Sequence, residues 1–187
     1  MEGALQGRRV FLEPLGSESD FSFVYRLALE DTVRFRWLLR AVGTPPPYSS
    51  FVDQLVRSSY AQCVIRSKSD GDCIGHVFAA QADLQNRHCG VGVAVTDAYV
   101  GSGLGLQGFL MFCRWIFCCA DFRKLYAEVL SINWNQFASG EGRYFQTEAL
   151  LTEHEFCRGA YQDVRILAFK REEFLARTER LAGVDGT

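Results

Sequence analysis

Three glycines at alternate positions, Gly101, Gly103 and Gly105, separate an alternating apolar pattern that ends at Val95 from an apolar run over residues 104–122. Strand, glycine-rich loop, helix is a strong local constraint. It gathers free backbone N–H groups and the positive end of a helix dipole at one point, where a phosphate is readily bound. Glycine lets the backbone there take φ > 0 and approach an anion closely. The apolar run is long enough to span a bilayer, but Arg114 sits at its centre and Gln107 and Asp121 lie within it. A central arginine costs about 2.5–3.5 kcal/mol in a membrane helix. The run therefore reads as a helix buried on most of its surface in a soluble domain, with no membrane partner.

Composition agrees. Lys+Arg 20 against Asp+Glu 22 over 187 residues gives a net charge of −2 and a pI near 5.9. With 48% hydrophobic and 22% charged residues, disordered, collagenous and coiled-coil readings are excluded, and the length fits one domain over 1–187. The acidic balance argues against nucleic acid held through its phosphates. The seven cysteines include no zinc-ligand spacing, and the polar stretch 1–9 has no leader pattern. Reduced, packed thiols in a cytoplasm are expected, with no metal.

Along the chain, residues 10–14 read as a strand, and Gly16-Ser17-Glu18-Ser19-Asp20 is a cluster of helix N-cap candidates. Helical stretches follow, one with Phe23, Val24, Leu27 and Leu29, the next with Val33, Phe35, Trp37 and Leu38. Gly43-Thr44-Pro45-Pro46-Pro47 ends them, since successive prolines cannot continue a helix. The triproline reads as loop, or as one wall of a substrate site. A short helix over 51–58 precedes strands at 61–66, 73–80 and 88–95, an antiparallel meander turning first at Ser69-Asp70-Gly71. After the apolar helix come a strand at 124–130, a short polar helix near 135–143, and a hairpin of 148–157 and 164–169 turning at Arg158-Gly159. A charged helix over 171–181 closes the chain. The class is α/β, with a central mixed, mostly antiparallel twisted sheet of about seven strands flanked by helices.

The glycine loop admits two readings. Gly103-x-Gly105-x-x-Gly108 satisfies a dinucleotide pattern, with Glu128 about where a ribose-binding acid would stand. An NAD(P)-dependent oxidoreductase is the remote alternative, because the strand signal ends well before Gly103 and the preceding strands form a meander. No lysine follows the glycines as a nucleotide-binding P-loop requires.

The other reading explains more. Val100-Gly101-Ser102-Gly103-Leu104-Gly105 resembles the acyl-CoA pyrophosphate loop of the GNAT superfamily of N-acetyltransferases, Gln/Arg-x-x-Gly-x-Gly/Ala, with Val100 in place of the Gln or Arg. The resemblance runs over residues 10–174. It looks most like the branch of ribosomal-protein N-terminal acetyltransferases (RimJ/RimL-like), through Leu12-Glu13-Pro14-Leu15, Ile74-Gly75-His76-Val77, Asp97-Ala98-Tyr99, Asn133, Glu141-Gly142-Arg143-Tyr144-Phe145 and the segments 159–164 and 170–174. It implies acetyl-CoA, or another acyl-CoA, as co-substrate. It also implies transfer of the acyl group to a primary amine on a small molecule or peptide, and a homodimer.

By that resemblance the loop residues Val100, Gly101, Ser102, Gly103, Leu104 and Gly105 hold the pyrophosphate, with Arg143 or another basic residue adding charge. Val91, Gly92 and Val93 line the pantetheine arm, a backbone N–H near Val93 is the oxyanion donor, and Asn133 holds the arm. Mid-strand glycines at 90 and 92 suit a close backbone approach. Many relatives carry a Glu base where Gly90 stands. His88, on the same face of an ideal strand as Gly90, is the nearest titratable replacement, with His76 and Glu148 as further candidates. A Tyr acid used by many relatives is Gly140 here, with the hydroxyls of Ser139 and Tyr144 nearby. Cys89 and Cys157 border the presumed cleft, yet adjacent strand residues point to opposite faces, so His88 does not serve Cys89 and direct attack by the amine is expected. Phe109, Phe137 and Phe145 are candidates for the end of an acyl tunnel. The departures at 90, 100 and 140 leave one alternative of another class, a CoA-binding sensor or scaffold without turnover.

Overall fold

This computed structural model describes residues 5–30, 45–157 and 159–179. In chain order the elements are β1 (Val10–Pro14), α1 (Glu18–Glu30), α2 (Tyr48–Ser58), β2 (Ser59–Ser67), β3 (Cys73–Asp83), β4 (His88–Val95), α3 (Leu104–Cys119), β5 (Lys124–Leu130), β6 (Gln146–Cys157), β7 (Ala160–Lys170) and α4 (Arg171–Thr178). The strands form one seven-stranded sheet in the order β1-β2-β3-β4-β5-β7-β6. Every neighbouring pair is antiparallel except β4 and β5.

The expected α/β class and mixed sheet are therefore present, and the dinucleotide reading is corrected. That fold needs successive parallel crossovers, whereas one pair among the described strands is parallel. Two glycines of its pattern serve packing instead. A Cβ at Gly105 would stand 2.5 Å from Val95 Cγ1, and one at Gly108 would stand 2.9 Å from Ile65 Cδ1, so α3 lies closer to the sheet than larger residues allow.

Helices cover both faces of the sheet. Along β2 the alternation sends Cys63 and Ile65 into the main core with α3 and Phe174 of α4, and Val64 into a second core with Val24, Ala28, Phe51 and Leu55 of α1 and α2. The start of α1 is fixed by a reciprocal cap: Asp20 N donates to Ser17 Oγ at 3.1 Å and Ser17 N donates to the Asp20 carboxylate at 3.1 Å, satisfying amides that the helix itself leaves free. In α3, Phe112, Cys113 and Phe117 are fully buried. Arg114 is accommodated because its guanidinium donates to Leu175 O at 3.2 Å and Thr178 Oγ1 at 3.3 Å, at the C-terminal end of α4, where a cation is favoured. Among the described residues no helix is long and apolar enough to cross a membrane.

Several boundaries differ from expectation: α2 starts at Tyr48, β2 spans Ser59–Ser67, β3 runs on to Asp83, β6 starts at Gln146 and β7 spans Ala160–Lys170. The apolar helix stops at Cys119, with Ala120 already extended. The polar helix near 135–143 is replaced by short 3₁₀ turns at Ser131–Gln136 and Ala138–Gly140; Asn, Ser and Gly are poor helix formers, and Gly142 takes φ +69°. The closing helix is present over Arg171–Thr178, and residues 180–181 of its expected span lie outside the described residues. The stretch with Val33, Phe35, Trp37 and Leu38, and Arg158 of the hairpin turn, lie outside the described residues.

Phe112 has 0% exposure at the centre of α3. Phe112→Ala is expected to lower stability by about 3–5 kcal/mol through lost burial and a cavity, read from the urea midpoint against the parent chain.

Candidate active site

The parallel pair is short. β4 and β5 are in register at His88 with Lys124, Cys89 with Leu125, and Gly90 with Tyr126, and then part. Beyond that point residues 91–95 of β4 stay paired to β3, and residues 127–130 of β5 stay paired to β7. Each strand thus keeps one bonded edge and turns the other into the gap. Backbone N–H and C=O groups need partners, and an extended ligand in the fork would supply them to both strands.

The fork opens into a cleft of about 1140 Å³. Of the residues expected to hold a cofactor, Val91, Gly92, Val93, Val100, Gly101, Gly103, Gly105 and Asn133 line it. Ser102 and Leu104 belong to the same loop without lining the cleft. Gly101 and Gly103 take φ +80° and +79°, a backbone state that costs other L-residues roughly 1–2 kcal/mol.

Gly103 starts α3 with no side-chain cap, and the first turn carries no acidic residue. Leu104 N donates to Ser102 Oγ at 3.2 Å and Gln107 N to Gly103 O at 3.0 Å. The amides of Gly105 and Leu106, between them, have no intrahelical acceptor. This end of the cleft therefore offers N–H donors and a positive dipole to an anion. Arg9 lies outside the lining but brings its guanidinium to 3.5 Å from Ser102 O of the same loop. Arg143, expected in that role, instead stacks over the Tyr144 ring at 4.9 Å and does not line the cleft.

The inner wall is apolar, with Leu106, Phe109 and Phe137. Phe109 and Phe137 meet edge to face at 6.5 Å. Phe145 packs on Phe169 in the core and is not part of the lining. The triproline does not line the cleft either. Pro47 precedes α2, and it is Phe51 and Leu55 of α2 that reach the wall.

At the far end His88, Tyr126, Glu128 and Glu148 come together. His88 lies 3.7 Å from the Asp83 carboxylate and edge-on to Tyr126 at 5.5 Å. Lys124 donates to Glu148 and, at 3.2 Å, to the Tyr126 hydroxyl. The hydrogen bond from Lys124 holds the Glu148 carboxyl below its usual range. Glu128 is exposed and has no hydrogen bond or ion pair among the described residues. Sequence reasoning met Glu128 only as a ribose ligand and missed Arg9. The signal for Glu128 was the alternation of β5, whose Leu125, Ala127 and Val129 enter the core.

The other candidates lie elsewhere. Ser139 is exposed and Tyr144 half-buried, both outside the lining. His76 is fully buried with Nε2 3.2 Å from Gln62 Oε1, and burial pushes its pKa down to about 3, so it is neutral near pH 7. Cys89 turns into the core, donates to Ala80 O at 3.1 Å, and is pushed up to about 11 by burial; a thiol in that state is a poor nucleophile. The side chain of Cys157 lies outside the described residues. Gly92 is glycine for a packing reason: a Cβ there would collide with the Phe78 ring.

No family model and no curated protein matches the chain. Solved structures do. Spermidine N-acetyltransferase SpeG from Vibrio cholerae, in complex with CoA and spermine, is similar at 18% identity over 89% of this chain and 98% of that one, with a TM-score of 0.75. The same enzyme in complex with manganese ions is similar at 17% identity over 95% and 99%, with a TM-score of 0.73. The fold is that of the GNAT acetyltransferases.

The Lys124–Glu148 pair generates a pH prediction. Glu148 has a lower pKa folded than unfolded, so its contribution to stability is present above the unfolded carboxyl value of about 4.3 and is lost as pH falls through the depressed folded value. With 19% and 35% of the two side chains exposed, that contribution is about 0.2–1 kcal/mol. Glu148→Gln should lower stability by that amount at pH 7, and the difference should vanish in acid, as read from urea midpoints along a pH series.

Proposed function

We propose that this chain transfers an acetyl or other short acyl group from acyl-CoA to a primary amine by direct attack within a ternary complex. The observation that carries the reading is the fork between β4 and β5, with an uncapped helix N-terminus at one end and a polar mouth at the other. A CoA molecule has matching parts in the same order: a pyrophosphate for the loop amides, an amide-bearing arm for the strand edges, and a thioester for the gap.

In this reading the amides of Gly105 and Leu106 and the guanidinium of Arg9 bind the pyrophosphate. Val91, Gly92 and Val93 border the pantetheine arm, and Asn133 bonds it from the opposite side. The Val93 N–H stabilises the tetrahedral oxyanion, a task for which a fixed backbone donor needs no reorganisation. The leaving thiol has a pKa near 8.5, so a strong general acid is dispensable, and neither Ser139 nor Tyr144 is assigned a step. His88 and Glu148 bound the amine end together with Tyr126.

Carboxylates at that end favour a cationic amine. The SpeG structure holds spermine, which makes polyamines the first acceptors to test. The RimJ/RimL-like features of the sequence make peptide N-termini the second. A cytoplasmic homodimer goes with that branch. The departures at Gly90, Val100 and Gly140 favour one other reading, a CoA-binding sensor without turnover.

Thiol release from acetyl-CoA, measured with polyamines, amino sugars and peptides, decides between catalyst and sensor. Amine-dependent release supports transfer, and CoA binding without release from any amine supports the sensor. Gly101→Glu sets a carboxylate against the pyrophosphate and a side chain at φ +80°. It should abolish CoA-induced thermal stabilisation, and an unchanged CoA affinity would sink the loop assignment.

A further inference from the structure

We propose that Glu128 receives the acceptor amine and takes its proton during transfer, a role that rests on the acyl-transfer reading. The last rung of the parallel pair joins Gly90 to Tyr126. Two residues further along each strand, past that rung, stand Gly92 on one bank of the opening fork and Glu128 on the other, and both line the cleft. Both lie on the sheet face away from α3, because Leu125, Ala127 and Val129 of β5 and Cys89 and Val91 of β4 fill the core on the α3 side. Glu128 thus occupies the bank of the cleft opposite the strand whose usual carboxylate is replaced by Gly90.

The charges around the cleft single out the same residue. The titratable side chains of the lining are His88, Tyr99, Tyr126, Glu128 and Glu148. Glu148 is committed to Lys124, which also binds Tyr126. His88 is engaged with Asp83, itself held by Asn86 N at 2.7 Å and Asn86 Nδ2 at 2.9 Å. Arg165, beside Glu128's β7 partner Ile166, lies over the Trp134 ring at 4.6 Å. Glu128 alone brings an uncompensated negative charge into the cleft. On the other bank the Phe78 ring, stacked on His76, abuts Gly92, so a carboxylate and an aromatic ring, groups that suit an ammonium, border the opening of the fork.

The nitrogen lone pair forms the C–N bond at the thioester carbonyl, and the C–S electron pair leaves with sulfur. An alkylammonium sheds two protons in becoming an amide N–H. One passes through Glu128 to solvent as the amine becomes a nucleophile. The other passes from the tetrahedral nitrogen through Glu128 to the thiolate, which leaves as thiol and returns the carboxylate to its charged state.

Glu128→Gln keeps the shape and removes the charge, and the position is exposed, so the fold should stand. With spermidine at pH 7, kcat/KM should fall about 10²-fold or more, while CoA-induced stabilisation is retained. The deficit should shrink as pH rises towards the amine pKa, and for an arylamine that is neutral at pH 7. A bisubstrate conjugate of spermidine with CoA should bind the variant more weakly, and CoA itself equally well. A variant as active as the parent with spermidine at pH 7, or a deficit independent of pH and amine, would overturn the role of Glu128 and leave acyl transfer standing. A parent chain that binds CoA and acetylates no amine would overturn both.

Discussion

Two parallel strands that part after three rungs govern the organisation of this protein. A parallel pair needs a crossover, and here α3 supplies it, packed beneath the sheet by way of Gly105 and Gly108. The crossover delivers the helix N-terminus to the end of β4, next to where β4 has lost its second neighbour. Backbone donors from a strand edge and from a helix start therefore converge on one cleft without any specialised side chain. This explains how the sequence can depart at 90, 100 and 140 from the pattern it resembles and still build the cleft: strand edges and a helix start, fixed by topology, shape it.

Charge is divided along the cleft. Around the glycine loop there are free amides, a helix dipole, Arg9 and no acid in the first helical turn. At the other end are Glu128 and Glu148, the latter balanced by Lys124. That polarity suits an anion at one end and a cation at the other, and Leu106, Phe109 and Phe137 give the cleft an apolar wall. Acyl-CoA and an amine are a pair of substrates with that polarity.

Much of this was legible from residues alone. The β1 and β5 bounds, the start of α3 and the meander follow from local alternation, turn chemistry and glycine placement, and these signals are short-range. Less legible was whatever depends on pairing. Arg9 approaches the loop because β1 lies on the sheet edge while α3 crosses beneath it, a relation with no local signature. Glu128 was visible as an outward residue of β5, but its place on the other bank of the fork from Gly92 follows from the parallel register. Gly103, Gly105 and Gly108 matched a dinucleotide pattern although two of them answer to packing against Val95 and Ile65. The segment near 135–143 has a polar helical pattern that Gly140 and Gly142 interrupt. Arg114 reads as a misfit in an apolar helix until α4, distant in sequence, brings up its carbonyl and hydroxyl partners.

Amide hydrogen exchange with and without acetyl-CoA tests the central claim most directly, because the claim concerns backbone groups. The fork predicts slowed exchange confined to residues 91–95 and 100–106, and to the facing edge at 127–130, with no such effect from NADH. Unchanged exchange in those segments at saturating acetyl-CoA, or protection confined to another part of the sheet, would contradict it.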